Sequence, residues 1–162
     1  MKAIYRYCSI ALVALGLFVW WYSRTPRVLA RKIDSLIETL HVDPTTTRSS
    51  RLIKSSSIGK YFDEQVELTS PIDEANGNFS PADLNSGYRF LTENAREITI
   101  ERKGDISCEV DGKHATQQFQ IDAKVSFSRW LKNLDGRYAV TVHWRKTEQG
   151  WKIHSNDWKE IP

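Results

Sequence analysis

The stretch HATQQFQIDAKVSF, residues 114–127, decides the fold. Ala115, Phe119, Ile121, Ala123, Val125 and Phe127 share one parity, while His114, Thr116, Gln118, Gln120, Asp122, Lys124 and Ser126 share the other. Successive side chains of a strand point to opposite faces, so this is one long strand with a dry face and a wet face. Asp111-Gly112 just before it is a strong hairpin signal, leading back to the alternating Ile106, Cys108 and Val110. Gly104-Asp105 reads as a turn from an earlier run in which Ile98 and Ile100 alternate with Glu97, Thr99 and Glu101. Downstream, Asn133 to Gly136 reads as a turn into Tyr138, Val140, Val142 and Trp144, and Gln149-Gly150 as a turn into Trp151 and Ile153. With Gln149 and Gly150 as the loop, Trp144 falls opposite Ser155 and Lys146 opposite Ile153, which brings both apolar sets to one face. The second half of the chain is thus expected to be an antiparallel meander.

The first half is helical. Thr25-Pro26 has the form of an N-cap with proline at the first helical position, and Leu29, Ile33, Leu36, Ile37 and Leu40 then recur at spacings of three and four. Asp43-Pro44 repeats that start and predicts a second helix to about Ser57, one rich in Ser and Thr that must borrow stability from its neighbours. Ile58 to Leu68 contains a short strand, residues 70–79 are polar and turn-rich, and Ser80-Pro81-Ala82-Asp83 opens a third helix ending near Asn94.

Ahead of all this lies an unbroken apolar run from Cys8 to Tyr22. Extended back to Ile4 it would reach about 28 Å as a helix, close to the ~30 Å of a bilayer's hydrocarbon core, provided Arg6 snorkels. Trp20, Trp21 and Tyr22 close the run with rings suited to the headgroup level, where a cleaved signal peptide would have small residues. Residues 1–25 are accordingly expected to be an uncleaved single-pass signal-anchor and residues 26–162 one domain. The membrane contact runs through residues 4–22, and the basic tail carrying Lys2 and Arg6 inclines the domain toward the extracytoplasmic side.

Six of the 23 basic residues fall in the first 32, which contain no acid, so residues 33–162 hold 17 basic and 20 acidic side chains, a net of −3. That domain lacks the clustered basic face that nucleic acid requires. It contains one cysteine, Cys108, and therefore no internal disulfide.

Three helices with a short strand before the third, then a long curved meander closing on Gly150-Trp151-Lys152-Ile153, resemble the nuclear transport factor 2-like superfamily, the cystatin-like alpha+beta roll. The resemblance covers residues 26–160 and rests on element order. It implies an α+β fold in which the N-terminal transmembrane helix is followed by three helices packed on a curved antiparallel β-sheet, a cone or roll. It also implies several roles: isomerase-like or polyketide cyclase-like pocket enzymes, binding and assembly modules, and scaffold subunits of envelope secretion complexes.

An isomerase-like site needs a carboxylate base and hydroxyl donors on the concave side of the sheet. The parity above offers Asp157, with Tyr138 and Tyr88, as pocket candidates. The plainer reading, with both rings in the core and Asp157 at the chain's end, is preferred, and with it a non-catalytic module. His143 and His154 share the wet face, but Arg145 and Asn156 stand where further metal ligands would be needed, so no metal or other cofactor is expected. Trp158 falls on the same wet face opposite about Thr141. With the two histidines it marks that polar face as a candidate interface for a second copy or another protein.

Overall fold

A computed structural model describes the backbone of residues 2–71, 75–127 and 133–162, with side chains apart from those of residues 2–10, 18 and 21–23. Helix α1 spans Lys2–Leu40, α2 Arg48–Ser57 and α3 Pro81–Asn94, with a 3-10 turn at Ile58–Tyr61. The strands are β1 Phe62–Thr69, β2 Gly77–Phe79, β3 Ala95–Asp111, β4 His114–Phe127, β5 Leu134–Thr147 and β6 Gly150–Ile161. They form one curved sheet in the order β2-β1-β6-β5-β4-β3.

Alpha1 is a single helix that runs through the expected boundary at residue 25 with Pro26 inside it. Its stripe of Leu29, Ile33, Leu36 and Ile37 fills the concave side of the sheet against Phe119, Ile121, Val140, Val142 and Trp144, with Leu29 and Trp144 at 0% and 1% exposure. A second cluster holds Val42, Ile58, Tyr88, Ala95, Ile98 and Val125, with Leu84 and Leu91 of α3 packed against it.

Four sequence expectations are corrected. The second helix starts at Arg48, not near Pro44, because Thr47 caps it by accepting from the Ser50 amide and Asp43 accepts from the Thr45 amide at 2.8 Å. Short hydroxyl and carboxylate side chains compete for nearby amides in this way and hold residues 43–47 out of the helix. The expected turn at Gly104-Asp105 is instead an irregularity inside the continuous strand β3, with Gly104 at φ +67°. The sheet is not wholly antiparallel, since β1 pairs with β6 in parallel, and residues 77–79 of the turn-rich stretch add the short strand β2.

The fourth correction concerns the last hairpin. Its loop is Glu148-Gln149, so Thr147 pairs with Gly150 and Trp144 with Ile153. Thr147 fixes this turn by donating to the Gly150 carbonyl at 2.9 Å and accepting from the Gln149 amide at 3.1 Å. Beyond it His143 pairs with Ser155, which leaves His154 as an extra residue. A one-residue bulge moves every following side chain to the opposite face.

Gly59 is buried where α3 crosses the 3-10 turn: its amide donates to Asn85 Oδ1 at 2.7 Å, and a Cβ there would meet the Pro81 Cβ and carbonyl oxygen at 2.9 Å. Gly87 of α3 has nothing within 4 Å of such a Cβ. Urea unfolding is expected to show Gly59→Ala destabilised by about 1–3 kcal/mol. Gly87→Ala should be stabilised by about 1 kcal/mol through helix propensity.

Candidate functional site

The sheet's concave side retains a cavity of about 40 Å³ between α1 and strands β3 to β6. Its walls are Ile33, Leu36, Ile37, Leu40, Ile100, Phe119, Ile121, Val140, Val142, Ile153, Asn156 and Trp158. A site of this size holds roughly two or three waters, against the several hundred Å³ that a drug-sized ligand fills. Among the lining residues Asn156 supplies the one polar side chain, and no described group donates to its buried Oδ1.

The bulge at His154 decides which residues reach this space. Trp158, expected on the wet face, is half-buried against the core, pairs with Val140 and sets its ring 6.0 Å from that of Tyr138. Asp157, expected on the dry face, pairs with Thr141 on the outer side and forms an ion pair with Lys159 at 3.1 Å. The three pocket candidates therefore do not converge. Tyr88 lies in the other cluster, where its hydroxyl donates to the Thr39 and Leu40 carbonyls at 3.0 and 2.9 Å and so caps the end of α1. Burial pushes its phenol up to about 12. Tyr138 is buried at 2% exposure, and burial, with Glu160 and Asp135 nearby, raises its phenol as well. Gly136 leaves room for it, since a Cβ there would meet the Tyr138 hydroxyl at 2.9 Å.

A further buried polar group was not singled out from the sequence. Gln117 is 0% exposed, and its Oε1 accepts from Trp144 Nε1 at 2.8 Å while its Nε2 has no partner among the described residues. It interrupts the apolar parity of residues 115–127, and that interruption is the signal by which it could have been found. Cys108 is half-buried beside the core, and burial raises its thiol, which disfavours the reactive thiolate.

The convex face of the sheet is a lattice of opposite charges. Asp122 accepts from Arg137 Nε at 2.7 Å and lies 3.6 Å from Lys103, which also meets Glu101 at 2.7 Å. The Arg137 hydrogen bond holds the Asp122 carboxyl below its usual range. At the far side Arg145 Nε donates to the buried Asp63 at 2.6 Å. His143 and His154 are exposed on this sheet, with His143 Nδ1 3.1 Å from Thr116 Oγ1. Among the described residues no group of three potential ligands could hold a metal ion.

Alpha1 extends beyond the domain. Every residue from Ala11 to Trp20 with a described side chain is exposed, including Leu12 at 69%, Val13 at 62% and Leu17 at 60%. Among the described residues no helix is long and apolar enough to cross a membrane. The expected span at 4–22 includes residues 4–10, 18, 21 and 22, so the expected belt residues Trp21 and Tyr22 lie outside the described side chains, whereas Trp20 is described and exposed.

No family model and no curated protein matches this sequence. Solved structures do match its shape. A nuclear transport factor 2-like superfamily protein from Salmonella enterica superposes with a TM-score of 0.66 at 11% identity, covering 86% of this chain and 93% of that one. A nuclear transport factor 2-like protein from Cytophaga hutchinsonii gives 0.60 at 11% identity over 84% and 98%. A provisionally assigned scytalone dehydratase from Novosphingobium aromaticivorans gives 0.61 at 14% identity over 85% of each chain. The chain has the nuclear transport factor 2-like fold.

Two outcomes test the placement of these side chains. Tyr88 keeps its proton between pH 10 and about 12 while the unfolded chain loses its own, so stability should fall as pH rises through that window. In the Tyr88→Phe variant that part of the fall should be missing from urea titrations across the same pH range. Asn156→Leu removes a buried unpaired acceptor and fills the cavity, and should raise stability by about 1 kcal/mol in urea unfolding.

Proposed function

We propose that this chain is a membrane-anchored binding or assembly module without catalysis, in which the N-terminal half of α1 is the anchor. The observation that carries the reading is an exposed helix with apolar side chains on all its sides between Ala11 and Trp20, continuous with the helix that packs the core. A water-exposed helix needs a polar face, and one that is apolar all round belongs in lipid or a protein core. The non-catalytic part rests on the filled cone: Phe119 and Ile121 occupy its interior, and Tyr88, Tyr138 and Asp157 lie apart. The convex face, with exposed His143 and His154, is the surface that remains for a second copy or another protein.

A second reading, a binder of a small and mostly apolar ligand, is favoured by the cavity and by Asn156 in its wall, whose buried Oδ1 has no donor among the described residues. It also agrees with the description of one structural neighbour as a provisional dehydratase.

The anchor is tested in the full chain by Val13→Asp with Leu17→Asp, each costing about 2.5–3.5 kcal/mol at the centre of an inserted helix. The unmodified chain should stay with membranes through alkaline extraction, and the double variant should move to the soluble fraction. Recovery of both in the soluble fraction would remove the reading.

A further inference from the structure

We infer that Arg24, Arg27 and Arg31 form a phosphate-binding stripe that gathers anionic lipid around the anchor. This rests on the membrane reading above. Spacings of three and four place the three arginines on one side of α1, opposite Leu29 and Ile33, which are buried at 0% and 2% exposure. All three are exposed, and among the described residues none forms an ion pair, while the nearest acid, Asp34, is held by Arg102 at 3.0 Å. Lys32, one residue along, is turned the other way: its Nζ donates to the Trp151 carbonyl at 3.1 Å and belongs to the domain. The stripe is therefore three guanidinium groups without an ion-pair partner among the described residues, at the junction between the apolar segment and the folded body.

Their height fits the headgroup layer. At 1.5 Å per residue, Arg24 and Arg27 stand about 6 and 10 Å beyond Trp20, and headgroups add roughly 5–7 Å to each side of the hydrocarbon core. Helical side chains lean toward the N-terminus, which here means toward the bilayer, so Arg27 reaches back into that layer and Arg31 points toward it from about 16 Å beyond Trp20. Arg24 already does so, its guanidinium 5.3 Å from the centre of the Trp20 ring. A guanidinium fork matches phosphate oxygens in pairs. A surface of net negative charge is what three such groups select over a zwitterionic one, by about five-fold for each arginine at the surface.

The test reconstitutes the full chain in vesicles of zwitterionic lipid containing equal small fractions of either a brominated zwitterionic or a brominated anionic lipid, and reads quenching of the anchor's tryptophan fluorescence. The inference expects at least about five-fold preference for the anionic lipid, the worth of one arginine. That preference should be reduced at high salt and lost in the Arg24→Gln/Arg27→Gln/Arg31→Gln variant, which alters exposed positions alone. Equal quenching by both lipids would overturn the stripe while leaving the anchor intact. No quenching by either would show that the segment does not enter the bilayer, and the inference would fall with that reading.

Discussion

The seat of α1 in the hollow of the sheet is the constraint on which the remaining structure depends. Strands β4 to β6 present Phe119, Ile121, Val140, Val142, Trp144 and Ile153 to one side, and a sheet face of that kind must be covered. Leu29, Ile33, Leu36 and Ile37 cover it from a single helix. The seat is locked by polar contacts at both ends, with Lys32 on the Trp151 carbonyl near one and the Tyr88 hydroxyl on the last carbonyls of α1 at the other. The same helix continues back to Lys2 without a break at Pro26.

A one-residue event sets the chemistry inside. The extra residue at His154 turns Asn156 and Trp158 inward and Asp157 outward. Without it a carboxylate would enter the apolar hollow, and an unpaired buried charge there would be costly. With it, the hollow receives an amide and an indole, which close the space to about 40 Å³. The bulge thus keeps the Asp157 carboxylate out of the hollow, whose described lining holds no acid–base pair of the isomerase type.

Much of the fold was legible in the sequence, because its main strands are amphipathic with period two, α1 carries an apolar stripe and α3 opens on a capping box. The parity of residues 114–127, the helix at Ser80-Pro81 and the stripe from Leu29 to Leu40 all have local causes, and the structure keeps them. The site was less legible. Parity counting assumes an unbroken register, and neither the Glu148-Gln149 loop nor the His154 bulge has a local signature strong enough to displace Gln149-Gly150 as the turn. The parallel pairing of β1 with β6 was hidden for a different reason: it joins segments some ninety residues apart, and no local pattern encodes such a partner.

One uninterrupted helix links the apolar segment to the core. Hydrogen–deuterium exchange on the full chain in lipid bilayers measures that continuity directly. Apart from Pro26, which has no amide hydrogen, the amides of residues 11–40 should exchange slowly as one continuous block, including those from Ser23 to Val28. Fast exchange confined to residues 23–28 between two protected stretches would show a flexible joint there and contradict the account.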